Sequence, residues 1–106
     1  MTTYFNQLET IVNEAAEYMT YFEKGFIEIE ICHDLNEETD EVNFVIDIAV
    51  NPHLPKLNVY RGRTFEFGYT MDAELAVEKA HEANEAMKKA AAGTNFELKG
   101  ISEIDY

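Results

Sequence analysis

The sequence predicts an α+β fold: a single two-layer domain with a mainly antiparallel sheet and two helices packed on one face. Three observations lead there. Apolar residues recur every three or four positions in two long segments. They alternate at period two in the segments between and after these. The links are short and polar, which favours neighbours pairing in sequence order. The 106 residues suffice for one small domain rather than two. No repeat, low-complexity run or Pro/Gly/Ser linker divides residues 1–106. A hydrophobic content of 46% supplies enough core material to exclude wholesale disorder.

The expected order is α-β-β-β(β)-α-β. Residues 3–24 read as the first helix, because Phe5, Leu8, Val12, Ala15, Met19 and Phe22 fall on one helical face. Tyr4, Ile11 and Tyr18 widen that face, and Gly25 lies where a C-terminal cap would fall. In residues 26–33 the period changes: Ile27, Ile29 and Ile31 alternate with Glu28, Glu30 and Cys32, as in a half-buried strand. The polar run DLNEETDE (34–41) is the expected long connection of a hairpin. In its second strand, 42–50, Val42, Phe44, Ile46, Ile48 and Val50 share one face, with Asn43, Val45, Asp47 and Ala49 on the other.

NPHLP (51–55) is expected to end that strand, since Pro52 and Pro55 disfavour continuation. Residues 57–69 return to strand, with Gly62 either a bulge in one strand or part of a tight turn between two. Thr70 offers an N-cap to a second helix over 71–92, with Asp72 and Glu74 early and Lys88 and Lys89 late, as the macrodipole prefers. Its inner side is alanine-rich: Ala73, Ala76, Ala80, Ala83, Ala86 and Ala90. Gly93 ends it, and residues 95–104 form a last strand, bent or bulged at Gly100. The short links argue for an antiparallel meander. The order through the second helix is also that of double-stranded-RNA-binding domains, but the helix opening TMDAE lacks their basic start and excludes that family.

Charge narrows function more than motifs do. Twenty-one Asp and Glu oppose eight Lys and Arg, a net charge of −13. Such a field repels phosphate backbones and anionic lipid, which excludes direct nucleic-acid binding and favours a basic protein partner. The charge is also uneven. Residues 1–53 hold 12 acids and one base, Lys24, whereas residues 54–106 hold nine acids and seven bases. From Glu28 to Asp47 run Glu28, Glu30, Asp34, Glu37, Glu38, Asp40, Glu41 and Asp47 with no base among them. These eight are the expected partner-binding residues. Alternate strand residues stand about 6.7 Å apart, close to the spacing of successive phosphates along a strand of nucleic acid. The expected role is a small acidic, non-enzymatic protein-binding domain. It would act as a nucleic-acid-mimicking inhibitor of the kind phages and mobile elements direct against nucleases, polymerases or defence complexes, at work in the (host) cytoplasm. The alternative is an assembly subunit, a homodimer held by Tyr4, Tyr18 and Tyr21 of the first helix.

Other chemistry finds little support. Cys32 is the single cysteine, so neither an internal disulfide nor a thiolate-built metal site can form, and no cofactor is expected. Cys32 and His33 point to opposite faces of a strand. Asp34, Asn36 and Glu38 resemble the start of a calcium loop, but Thr39 replaces the required Gly and Val45 the closing Glu. His81 is flanked by Glu78 and Glu85 at helical spacing, the pattern of a surface His–carboxylate pair. Tyr60, Arg61 and Arg63 form one basic-aromatic island, of a composition that suits a contact surface, but its arginines are expected rather to pair with neighbouring acids. No Gly-rich phosphate loop, GxSxG or HExxH is present, and no stretch approaches the roughly 18 apolar residues of a membrane span.

Overall fold

The computed structural model describes residues 3–105, the last two of them as backbone. The element order is β1 (Tyr4–Phe5), α1 (Leu8–Met19), β2 (Gly25–Asn36), β3 (Glu41–Leu54), β4 (Val59–Tyr60), β5 (Arg63–Thr70), α2 (Ala73–Ala91) and β6 (Phe96–Asp105). Both helices pack on one face of a six-stranded, mostly antiparallel sheet, which is the expected α+β architecture. Strand order is β1-β5-β3-β2-β6, with β4 also on β3. The sheet is not a plain meander: after α2 crosses over, β6 runs parallel to β2.

Alternation decides which side chains meet the helices. Ile27, Ile29 and Ile31 of β2, Ile46, Ile48 and Val50 of β3, and Phe65 and Phe67 of β5 are buried beneath them. From α1 they meet Ile11, Ala15 and Met19, and from α2 Ala76, Ala80, Ala83, Met87 and Ala91. The buried stripe of α1 is thus turned from the expected one: Leu8 and Val12 sit half-buried at its margin. On α2, Ala86 and Ala90 likewise lie at the margin and Ala73 is exposed, while Met87 fills the centre.

Several boundaries depart from expectation for identifiable reasons. Tyr4 and Phe5 are not helical, because they pair with Tyr69 and Gly68 as a short edge strand. Their apolar spacing suits a helix equally well. The helix closes at Thr20 instead of Gly25: the Thr20 hydroxyl donates to the Glu17 carbonyl at 2.6 Å, and Gly25 opens β2. The acidic connection shrinks to a turn over 37–40, since Asp34, Leu35, Asn36 and Glu41 all join the hairpin ladder. Asp40 takes a left-handed backbone (φ 56°) there.

Proline does not end β3, which continues through Pro52 to Leu54. Opposite Pro52, the Arg61 N–H donates to the Pro52 carbonyl at 3.1 Å, but proline has no N–H to return. Half of that bonded pair is missing, and there the facing strand is interrupted, at 61–62. β4 and β5 keep the same register on β3 across the break, so residues 59–70 are one interrupted strand with no hairpin between them. At the other helix, Thr70 does not cap; the Asp72 carboxylate accepts the Leu75 N–H at 3.1 Å, and Thr70 Oγ1 accepts the Asp72 N–H at 3.0 Å. Gly93 (φ 80°) follows α2. Gly100 (φ 103°) adjoins the expected bulge, where β6 shifts register against β2.

Candidate functional site

The face of the sheet turned away from the helices is built from the other half of the alternation. Along the β2–β3 hairpin it carries Phe26, Glu28, Glu30, Cys32, Asp34 and Asn36 opposite Asn51, Ala49, Asp47, Val45, Asn43 and Glu41. Register places Glu30 directly across from Asp47, and Asp47 directly across from Glu66 of β5. Three carboxylates therefore stand abreast on adjacent strands, about 4.8 Å apart at the backbone. Like charges directly opposite one another destabilise a sheet.

The eight acids expected from sequence divide into two groups. Glu28, Glu30 and Asp47 lie in mid-sheet, joined by Glu66. Asp34, Glu37, Glu38, Asp40 and Glu41 gather at the hairpin tip, with the first and last of these on the ladder and the others in the turn. The turn is ordered by Asn36, whose side-chain oxygen accepts the Glu38 N–H at 3.1 Å and whose carbonyl accepts that of Thr39 at 3.2 Å. Buried Cys32 and half-buried Val45 separate the groups, so the carboxylates form a transverse row and a tip cluster rather than one continuous file.

Two of the mid-sheet acids, Glu30 and Asp47, hold their protons more tightly than ordinary carboxyls. Burial raises the Glu30 pKa first, and the charges of Asp47 and Glu28 add to it. Burial also raises Asp47; the Cys32 thiol donates to Asp47 Oδ2 at 3.6 Å and pulls it partly back, while Glu66 pushes it up again. Relief from other neighbours is modest. The Ser102 hydroxyl donates to Glu28 Oε2 at 3.2 Å, and the Tyr4 hydroxyl donates to Glu66. That hydrogen bond, with smaller contributions from burial and nearby charge, pushes the Tyr4 phenol up to about 12. Tyr4 stacks on Tyr69 at 5.9 Å. The Tyr69 pKa is raised by burial and then by Asp34 and Glu41. None of these carboxylates is seen in an ion pair with a Lys or Arg among the described residues, whereas Lys79 and Glu82 pair on α2 at 3.2 Å. Two buried oxygens of the same strands, Asn43 Oδ1 and the Tyr69 hydroxyl, lack a hydrogen-bond partner among them.

Two expectations need correction. The arginines of the basic-aromatic island form no ion pairs among the described residues. Arg63 instead lies over the rings of Tyr18 (5.2 Å) and Phe65 (4.8 Å). The three tyrosines do not share one helix: Tyr4 is on β1, Tyr18 is on α1 against Phe22 and Phe65, and exposed Tyr21 follows α1. Glu66, Tyr4 and Tyr69 were missed as members of the acidic face, because only register makes them neighbours. The opposite-face reading of Cys32 and His33 holds, since Cys32 faces Val45 and His33 packs edge-on against Phe44. The ligand atoms of Glu30, Cys32 and Asp47 all lie within 4.8 Å of one another, so this mixed set could hold a small divalent ion once the thiol lost its proton.

Among the described residues, no helix is long and apolar enough to cross a membrane. The chain matches no known protein family, no curated protein and no solved structure.

Proposed function

We propose that this protein is a small acidic, non-enzymatic binding domain whose open sheet face and hairpin tip engage a basic protein surface. The observation that carries this reading is the row Glu30–Asp47–Glu66, set abreast on three strands with no cation of the chain paired to it among the described residues. Arranged this way, the carboxylates repel one another, and Glu30 and Asp47 resist ionisation. A partner bringing Lys or Arg relieves both costs, so binding is favoured by what the free protein leaves unsatisfied. A surface that presents carboxylates where a basic groove expects phosphates is a nucleic-acid mimic. The target class is therefore a nuclease, polymerase or defence complex, with inhibition by occupation of its groove.

Affinity capture from host lysate tests this, with a salt gradient for elution and duplex DNA as competitor. Expected is capture of nucleic-acid-handling proteins, released by salt and displaced by duplex. The Glu28→Gln/Glu30→Gln/Glu37→Gln/Glu38→Gln variant is expected to fold and to lose the capture. Equal capture by that variant would make the acidic face an ordinary solvated surface.

A further inference from the structure

We propose that the groove between α1 and α2, on the layer opposite the acidic sheet face, docks an amphipathic helix of a partner protein that carries Lys or Arg beside its apolar side chains. The groove is an open trough of about 900 Å³. Its floor comes from the margins of the two buried stripes: Leu8 and Val12 of α1, and Ala86 of α2. Ala86 brings only a methyl group to the floor, and Leu8 and Val12 remain half-buried beside it. Apolar surface left open this way favours an apolar occupant.

The chemistry of the walls selects which one. Both walls are helices whose backbone groups are already bonded along their own axes. An extended peptide laid in the trough would find few main-chain partners, whereas a helix satisfies its own. The rim carries Glu9, Glu78, Glu82 and Glu85 against Lys89 alone among lining cations of fixed charge, and Glu82 already holds Lys79. Charge complementarity therefore calls for Lys or Arg flanking the apolar anchors. It also argues against a second copy of this chain, since the sequence of α1 contains Glu9, Glu14 and Glu17 and no base. Docking α1 into another copy's groove would set acid against acid.

The test uses a fluorescently labelled synthetic helix of roughly 16 residues, with Leu at three- and four-residue spacing and Lys elsewhere. A matched peptide keeps every Lys but carries Ser for Leu. Binding is read by anisotropy near 0.15 M salt, where surface attraction alone is well screened. The Leu peptide is expected to bind about tenfold or more tightly than the Ser peptide. Ala86→Phe, which fills the trough without altering charge, is expected to weaken it by a similar factor, as is the exposed pair Glu78→Lys/Glu85→Lys. The fold of each variant is checked by circular dichroism, and the rim pair keeps the test open should Ala86→Phe not fold. The quadruple Gln variant of the hairpin is expected to bind the peptide as the wild type does, which separates this site from the sheet face. Undiminished binding by folded Ala86→Phe or by the rim pair would overturn the proposal. Loss of binding in the hairpin variant would do so too, as would self-association abolished by Ala86→Phe.

Discussion

The two faces of the β2–β3 hairpin use the same strands and register, yet they behave as opposites. On the helix side Ile27, Ile29, Ile31, Ile46, Ile48 and Val50 are almost wholly removed from water, and their interests agree with folding. One residue away, Glu28, Glu30 and Asp47 share the backbone and work against it, half-buried and mutually repelling. The lesson is that alternation lets one ladder carry a stabilising surface and a costly one together. The first secures the geometry of the second. Substitutions on the two faces should therefore move stability in opposite directions, and a shift in the same direction would show that the faces do not differ.

The largest effect is expected on the covered face. Ile29→Ala or Ile48→Ala removes a fully buried side chain and should cost about 2–5 kcal/mol in urea unfolding, through lost transfer energy and the cavity left behind. At the edge, Gly68→Val should cost roughly 1–3 kcal/mol by overpacking, because a Cβ there runs into the Phe5 ring and the Tyr4 carbonyl and pushes β1 away. The open face should respond with the opposite sign. Asp47→Asn and Glu30→Gln each remove a like-charge neighbour and should raise stability at neutral pH by about 0.2–1 kcal/mol per pair relieved. The same substitutions should weaken partner binding.

Proton linkage sharpens the contrast. Glu30 and Asp47 have raised pKa values in the folded state, so the folded protein holds protons that the unfolded chain releases. Their contribution is most favourable at and below the ordinary carboxylate range, and it is lost as pH rises from there through the raised folded values. Melting temperature should therefore increase on mild acidification from neutrality, and the increase should shrink in the Glu30→Gln/Asp47→Asn double variant. The smallest effect concerns Tyr4. Spectrophotometric titration should find its phenol ionising near 12, and Glu66→Gln should return it toward 10 by removing the anionic acceptor.

Where the sequence was informative and where it was not follows from the range of the forces involved. The inward and outward sets of β2 and β3, the buried Ala76, Ala80 and Ala83 of α2 and the bulge beside Gly100 rest on local periodicity and backbone preference, which a linear chain displays openly. Pro52 misled because its missing N–H matters only through what lies opposite it: the cost fell on Arg61 and Gly62, not on its own strand. Tyr4 and Phe5 fit a helical stripe as well as an edge strand, and only the presence of β5 decides between them. Likewise the row Glu30–Asp47–Glu66 spans three strands, so the acids were legible as a charged stretch but not as neighbours. Register, a tertiary property, converts composition into a site.

The parallel pairing of β6 with β2 also bears on how the chain reaches this state. Gly25 meets Phe96 and His33 meets Asp105, so a central strand waits for a partner some seventy residues downstream. Contacts of such separation form late, because the loop between them must close before they contribute. During synthesis β2 is therefore an edge strand, its isoleucines adjoining an unfilled ladder, at the stage when nascent chains most readily pair with each other. Glu28 and Glu30 alternate with those isoleucines, and charge on an exposed edge discourages sheet-to-sheet addition. The acidity that weakens the finished sheet thus guards the unfinished one. Neutralising it should yield a more stable protein that is harder to produce without aggregation.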